Sequence, residues 1–277
     1  MQAPKSILLH LDSSARTVER IRLARQLAET FDAEVTGQPC TLSALMRYPF
    51  AIEAAAEAVA IMQEIDKAAR DKMHEVFMAG SAGSQRLHWA EPECDAPWGF
   101  ARRALYADLM ILGQRNRKDP MDGELPGDFL ASLLVQSGRP ALVLPYTGQV
   151  GLQAPLGRTV LVAWKETREA ARAVSAALPW LRTAAHVHAV SWGEEAEPSL
   201  HGLKRYLRAQ GIQEITLHPG GAEHGDAGNK LLSFAADLSA DLLVMGCYGH
   251  SRAREWVLGG ATQSILEEMT LPVLMSH

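Results

Sequence analysis

An internal repeat constrains the fold of this chain more than any other feature. The run from Ala107 to Gly113 reads ADLMILG, and the run from Ala240 to Gly246 reads ADLLVMG. Two copies of one domain are the economical explanation of such a pattern. Two further pairs of segments match in the same order, namely residues 6–12 with 159–165 and residues 139–145 with 271–275.

Short apolar runs alternate with amphipathic stretches in each half, which predicts parallel strands joined by right-handed helical crossovers. We therefore expect an α/β protein with two tandem doubly wound domains, at residues 1–147 and 158–277, each with a five-stranded parallel sheet flanked by helices. A linker that contains Gly and Pro lies between them. The expected strands are residues 7–11, 34–38, 85–90, 109–112 and 141–144 in the first half and 160–163, 186–190, 213–217, 241–245 and 271–275 in the second.

The expected helices differ in length. Ser13 and Ser14 are predicted to cap the first of them. The longest covers about residues 49–78 and carries an apolar stripe flanked by charged residues, which favours an amphipathic helix over a membrane segment. The others are expected at residues 18–28, 98–106, 127–136, 168–181, 199–210, 229–238 and 262–269.

Composition bounds the classes of function. The 277-residue chain has a formal net charge of -5, so its bulk electrostatics favour neither nucleic acid nor an anionic membrane as a partner. The sequence has no signal-peptide pattern and no uncharged run of bilayer length, which predicts a cytoplasmic location. Cys40, Cys94 and Cys247 are widely spaced without a CxxC motif, which predicts free thiols and argues against a structural metal.

A glycine-rich loop follows the predicted strand that ends at Gly246. Gly246 and Gly249 allow backbone conformations and close approaches that other residues resist. Gly259 and Gly260 lead into a predicted helix that begins near Thr262. The free N–H groups and positive dipole end of a helix N-terminus attract anions. The loop therefore predicts a phosphate-binding site.

This segment resembles the carboxyl-terminal part of the universal stress protein family. The resemblance rests on the run ADLLVMG, the spacing Gly-x2-Gly-x9-Gly and the closing run Leu271–Met275. In that family the same spacing lines the triphosphate of ATP, so the resemblance implies an adenine nucleotide, ATP, with Mg2+ accompanying it. The family's third glycine is normally followed by Ser or Thr, another residue and a second Ser. Here Gly260, Ala261 and Thr262 stand in these places, so one hydroxyl is lost and one is kept.

The resemblance also implies a fold and a set of site residues. The fold is that of universal stress proteins and related adenine nucleotide alpha hydrolases, with the ligand crevice at the carboxyl ends of the first and fourth strands of a domain. Glycine N–H groups and the Thr262 hydroxyl are expected to hold phosphates, and the backbone near residues 163–165 and 187–189 to hold the base. The full set is Ala163, Trp164, Lys165, Val187, His188, Met245, Gly246, Gly249, His250, Arg252, Gly259, Gly260, Ala261 and Thr262.

The two halves differ at the positions that family members use for ATP. In the family an Asp at the end of the first strand meets the nucleoside; the first half keeps Asp12, whereas the second has Lys165. After Gly113 the first half reads Gln-Arg-Asn116, without a second glycine. It also has Asp128 near the expected helix start, where a carboxylate repels phosphate. We therefore expect the second half to hold the nucleotide.

Several side chains near this predicted site have two interpretations. Arg252 and Arg254 either reach phosphate or pair with acids in the loop. Lys165 either contacts an anion or closes a surface ion pair. Trp164 either stacks on the base or packs against the domain. His250 either donates to phosphate or packs within the loop.

Two histidines and one cysteine are candidates for a metal or redox site. His186 and His188 point to the same face of a predicted strand, as a metal-binding pair would. No Cys or carboxylate stands at a spacing that completes a tetrahedral set, so no metal site is predicted. Cys247 lies near a helix N-terminus, which lowers a thiol pKa; a small buried thiol is the alternative.

The sequence contains no catalytic motif of the Walker, GxSxG or HExxH type and no SGGxDS loop, so no activity beyond slow ATP hydrolysis is predicted. Three hypotheses follow: a stress-response regulator that binds ATP, a weak Mg2+-dependent nucleotide hydrolase, and a nucleotide-free scaffold whose long helix binds a partner or an apolar ligand. Residues 142–144 are expected to pair with residues 273–275 within the chain, because a final strand leaves an exposed edge. A homodimer of whole chains is also expected.

Overall fold

The computed structural model describes residues 3–48, 56–91, 96–116, 125–147, 155–221, 226–248 and 260–277, with the backbone alone at 96–98. The structure divides into two compact units, Pro4–Ser137 and Gly138–His277, the second together with Met1–Ala3. Among the described residues, no helix combines the length and the apolar character needed to cross a bilayer.

The first unit contains a parallel sheet in the order β3-β2-β1-β4. Its central strand β1 is buried from its second residue onward, as expected for a strand covered on both faces. The strands are β1 (Ser6–Leu11), β2 (Glu34–Pro39), β3 (Leu87–Trp89) and β4 (Leu109–Gly113), and the helices are α1 (Thr17–Phe31), α2 (Ala44–Arg47), α3 (Ala56–Ser81), α4 (Ala96–Ala104) and α5 (Phe129–Gln136).

The second unit contains six strands in the order β5-β10-β9-β6-β7-β8. All neighbours are parallel except β5 and β10. The strands are β5 (Ala141–Leu144), β6 (Thr159–Ala163), β7 (His186–Ser191), β8 (Thr216–Pro219), β9 (Leu242–Gly246) and β10 (Val273–Ser276), and the helices are α6 (Arg168–Leu181), α7 (Ala196–Ala209), α8 (Ala227–Asp237) and α9 (Ala261–Glu268).

The predicted pairing of the last strands of the two repeats is confirmed. β5 runs antiparallel to β10, with Val273 opposite Val143 and Met275 opposite Ala141. The sheet of the second unit therefore includes a strand that the sequence repeat assigns to the first half. The domain boundary drawn at residue 147 and the homodimer stay predictions.

The first helix begins at Thr17, three residues beyond the predicted cap at Ser14. Ser14 does not cap it, because the hydroxyl groups of Ser14 and Thr17 donate to Asp12 Oδ1 at 2.6 and 2.7 Å. Arg16 takes the N-cap position without a side-chain capping bond. The carboxylate at the end of β1 thus organises the whole turn between strand and helix.

Two further elements, α2 and β8, differ from the sequence prediction. α7 ends in a Schellman-type turn, in which Gly211 has a positive φ of 91° and Ile212 N–H donates to the Leu207 carbonyl at 3.0 Å. β8 begins at Thr216 instead of residue 213. The short helix α2 was not predicted; Ser43 caps it by accepting from Met46 N–H. Residues 49–55 of the predicted long helix lie outside the described residues.

Candidate functional site

The carboxyl ends of β6 and β9 form the edge at which the predicted site lies. The two strands are adjacent and parallel, and Ala163 is the register partner of Met245. In doubly wound sheets this edge, where successive connections leave in opposite directions, is the usual ligand crevice. Met245 is buried, and Ala163 and Gly246 are half-buried.

Gly246 has a structural role that the sequence did not reveal. A Cβ atom at this position would lie 2.5 Å from the backbone nitrogen of Ala170 and 2.7 Å from the carbonyl carbon of Glu169. Both atoms belong to the backbone of the first turn of α6, which cannot move aside as a flexible side chain can. Gly246 therefore lets α6 approach the end of β9, and this contact accounts for the glycine without a ligand.

The first turn of α9 lies beside the end of β9. Thr262 is buried, and its Oγ1 accepts a hydrogen bond from Tyr248 N–H at 3.4 Å. Gly260 is the N-cap of α9 and adopts an extended conformation. Because the first N–H groups of a helix have no partner within it, Ala261 and Thr262 present donors at this end of the sheet. The hydroxyl of Thr262 is thus used to hold the loop to the helix.

Asp226, Gly228 and Ser264 position this helix, and the sequence analysis missed all three. Asp226 caps α8 by accepting from the N–H groups of Gly228 and Asn229 at 2.9 and 3.3 Å, and it also accepts from Ser264 Oγ at 3.2 Å. A Cβ atom on Gly228 would lie 2.6 Å from the Cβ atom of Ser264. The N-termini of α8 and α9 are therefore held together. An Asp before a helix is the capping signal that could have found the first of these residues.

The prediction of which residues hold the base is corrected by the strand register. Val187 pairs with Val160 and His188 with Leu161, whereas Val190 is the partner of Ala163. At about 3.3 Å per residue, Val187 lies about 10 Å below the edge, at the amino end of β7. The structure instead brings Val190 to the crevice edge and places Val187 and His188 away from it.

Trp164 and Lys165 follow β6 directly. The indole N–H of Trp164 donates to Ser199 Oγ on α7 at 2.9 Å, and its backbone N–H donates to the Val190 carbonyl at 2.8 Å. These bonds favour the packing interpretation of Trp164. Lys165 is exposed, so its ammonium group stands in solvent at the carboxyl edge of the sheet.

A buried carboxylate lies at the start of α6. Burial opposes ionisation of Glu169, but hydrogen bonds, including one from Arg168 Nε at 2.5 Å, outweigh it and hold the pKa of this carboxyl below its ordinary value. The Glu169 backbone adjoins Gly246. A polyanion bound at this edge would therefore need compensating positive charge, for which Lys165 is available at the end of β6.

Four of the predicted site residues, Gly249, His250, Arg252 and Gly259, lie outside the described residues, as does Arg254. Cys247 is a buried free thiol. Its backbone N–H donates to the Ser276 carbonyl at 2.9 Å, and its own carbonyl lies 3.2 Å from His277 Nδ1. The backbone of Cys247 thus fixes where the glycine loop leaves the sheet, which favours the interpretation of this residue as a small buried thiol.

The first unit has the equivalent edge at β1 and β4, and its own side chains occupy it. Arg20 reaches from α1 to Asp12, with 2.5 Å between Nη2 and Oδ1. The Arg20 guanidinium also lies against Gly113, at a distance that leaves no room for a Cβ atom there. Burial opposes ionisation of Asp12, but Arg20 and the hydroxyls of Ser14 and Thr17 hold the pKa of this carboxyl well below its usual range.

His10 lies beneath this ion pair. Its ring is fully buried between Phe100 and Phe129, with centroid distances of 5.8 and 5.2 Å. Nδ1 of His10 has no hydrogen-bond partner among the described residues and lies 3.8 Å from Asp12 Oδ2. Burial lowers the pKa of His10 to about 4, although Asp12 opposes this shift. The ring is therefore neutral at physiological pH.

The second half of the chain gives the clearest match to known proteins. Residues 157–277 match the model of the Universal stress protein family. A universal stress protein of Synechocystis sp. is 33% identical over 81 residues, which cover 29% of this chain and 26% of that protein. One of Methanocaldococcus jannaschii is 26% identical over 82 residues, which cover 30% of this chain and 48% of that protein. The matches thus span about a quarter and about half of the length of these curated relatives.

The fold of the whole chain has a known counterpart. The crystal structure of a universal stress protein from Archaeoglobus fulgidus superimposes with a TM-score of 0.74 at 16% identity, over 99% of this chain and 96% of that one. At this identity the likeness shows the fold alone. Residues 157–277 are therefore similar to the universal stress protein family, and the whole chain has the fold of the Archaeoglobus fulgidus protein.

Proposed function

We propose that the second unit binds an adenine nucleotide, ATP first among them, at the carboxyl edge of β6 and β9. The observation that carries this proposal is the hydrogen bond between Tyr248 N–H and Thr262 Oγ1, because it sets the first turn of α9 beside the end of β9. A helix N-terminus at this edge is a site for phosphate. The family match at residues 157–277 and the glycine spacing support the same ligand.

Different residues of this site bind different parts of the nucleotide. The first N–H groups of α9, at Ala261 and Thr262, hold phosphate oxygens together with backbone of the glycine loop. Ala163 and Val190 lie beside each other on β6 and β7 and offer backbone for the base. Lys165 compensates the phosphate charge, and Mg2+ accompanies the nucleotide in solution. The functional output is a nucleotide-dependent regulatory interaction in a stress response.

The proposal is tested by isothermal titration of the full chain with ATP, in the presence and absence of Mg2+. Gly260→Asp places a carboxylate at the N-cap of α9, where it repels phosphate, so we expect ATP affinity to fall at least about tenfold. Gly202→Asp is the matched control, because Gly202 lies on α7 with no heavy atom within 4 Å of an added Cβ atom. Equal affinity of wild type and Gly260→Asp would refute the phosphate site.

Stoichiometry and turnover separate the remaining hypotheses. We expect one ATP per chain, because Arg20 occupies the equivalent edge of the first unit; two per chain would contradict this expectation. Phosphate release from Mg2+-ATP at a rate that Gly260→Asp abolishes would favour the hydrolase. Absence of any ATP binding would favour the scaffold.

A further inference from the structure

Two histidines meet on neighbouring strands of the second unit, one on β7 and one on β8. His188 of β7 and His218 of β8 approach to 3.0 Å between Nδ1 and Nε2. In the strand register His188 is opposite Thr216 and Val190 is opposite His218, so the two histidines are diagonal neighbours on one face. Both rings are half-buried.

We propose that His188 and His218 form a binding site for a divalent transition-metal ion, with Zn2+ as the reference case. Imidazole nitrogen binds Zn2+ at about 2.0–2.1 Å, so two adjacent ligands stand about 2.9 Å apart at a right angle and about 3.3 Å apart at the tetrahedral angle. The observed separation of 3.0 Å falls within this range. Metal binding would turn the two rings so that both lone pairs face the ion.

The proton balance of this step is simple. In the metal-free pair one ring nitrogen donates its proton to the other, since a neutral imidazole has one donor and one acceptor nitrogen. On metal binding the donor ring keeps its proton but moves it to its other nitrogen, which leaves Nδ1 of His188 and Nε2 of His218 both as electron-pair donors. Two neutral imidazoles therefore bind the ion without net release of a proton.

The surroundings hold the pair and leave coordination positions open. Phe234 of α8 packs edge-on against His218, with a centroid distance of 4.9 Å and an interplanar angle of 76°. His218 also lines an open cavity of about 780 Å³, together with Trp192, Asp237 and Lys230 among others. The described residues contain no set of three or more His, Cys, Asp and Glu side chains arranged for a metal. Water or a small ligand in this cavity would complete the coordination.

Zn2+ titration of the full-length, nucleotide-free chain by calorimetry tests the proposal. We expect one Zn2+ per chain at this site. His188→Ala and His218→Ala should each weaken binding at least about tenfold, because even the outer partners of metal ligands are worth that much. His201→Ala is the matched control, since His201 is an exposed histidine on α7 of the same unit. Mg2+, which prefers oxygen ligands, should not compete.

A second measurement does not depend on the variants folding. In wild-type protein with 15N-labelled histidine, Zn2+ should shift the ring-nitrogen resonances of His188 and His218 together, and those of His201 far less. Absence of Zn2+ binding by wild type, wild-type affinity in both His188→Ala and His218→Ala, or ring shifts confined to other histidines would each overturn the proposal. The titrations use nucleotide-free protein, so these outcomes do not depend on whether the chain binds ATP.

Discussion

The crevice edges of the two units have the same order of strand, turn and helix, yet different groups occupy them. In the first unit the Arg20 guanidinium pairs with Asp12 and lies against Gly113. In the second unit Lys165 stands at the position of Asp12 and is exposed, and Gly246 lies against the backbone of α6. The first edge is thus filled by a buried arginine of the chain itself, whereas the second keeps an exposed lysine, with the same strand order in both.

Replacement of Arg20 should have the largest effect. Arg20→Met leaves the Asp12 carboxylate buried without its cation, which we expect to destabilise the first unit by about 3–5 kcal/mol. Denaturant unfolding measures this loss. Arg168→Met is the control from the second unit: Arg168 also pairs with a buried carboxylate, but its side chain is 74% exposed, so the cost should stay within about 1 kcal/mol. Equal losses would show that burial of Arg20 is not what matters.

Acid should destabilise the first unit through His10. The pKa of His10 is about 4 in the folded protein against 6.5 ordinarily, so the unfolded chain takes up a proton first as the pH falls. Stability is therefore lost from pH 6.5 down to about 4, by up to about 3 kcal/mol. Asp12, whose pKa is depressed, removes stability only below its ordinary value of 3.8.

His10→Gln tests this pH dependence, because glutamine does not titrate. The unfolding free energy of His10→Gln should fall less steeply than that of wild type between pH 6.5 and 4, whereas His201→Gln, at an exposed position on α7, should retain the slope of wild type. A wild-type slope in His10→Gln would assign the titration to another group.

The two edge glycines should respond differently to a methyl group. Gly246→Ala forces Cβ against the backbone of α6, 2.5 Å from Ala170 N, and should cost about 1–3 kcal/mol. Gly113→Ala meets the end of the Arg20 side chain, which can shift, so we expect a smaller loss. Gly202→Ala, in open space on α7, should be neutral or slightly stabilising. Thermal unfolding ranks the three; a larger loss for Gly113→Ala would reverse the interpretation.

Loss of the loop anchor should have the smallest effect. Thr262→Val keeps the shape of the side chain but removes the acceptor for Tyr248 N–H, and one such bond is worth about 0.5–1.5 kcal/mol. Amide hydrogen exchange at Tyr248 should accelerate, while exchange in β4 of the first unit stays unchanged. Unchanged exchange at Tyr248 would mean that Thr262 does not hold the loop.

The sequence predicted the parts of the fold that local patterns determine. The apolar runs at Leu109–Gly113 and Leu242–Gly246 are strands, and the last strands of the repeats pair as expected. Arg20 was not identified, because its contact with Asp12 depends on how α1 lies against β1. The placement of Val187 and His188 at the crevice was wrong. An apolar run indicates a strand but does not indicate which of its residues lies at the edge of the sheet.

The histidine pair is a second example of a contact that local sequence patterns do not reveal. His186 and His188 were rejected as ligands because no third residue stood at a suitable spacing along the chain. The partner that the structure supplies for His188 is His218, on a neighbouring strand. Its position depends on where β8 begins, and the prediction placed the start of that strand at residue 213 instead of Thr216. Registers between strands therefore decide such sites.

The antiparallel pairing of β5 with β10 has a consequence for biosynthesis. The ribosome makes β5 before any of the strands β6 to β9, and its partner β10 comes last of all. Until β10 leaves the exit tunnel, β5 lacks that partner, and an unpaired strand edge can pair wrongly with another chain. Completion of this sheet thus waits until all the strands between β5 and β10 have been made. Slow codons or chaperone contacts between β5 and β10 would therefore affect first whether β5 pairs correctly with β10.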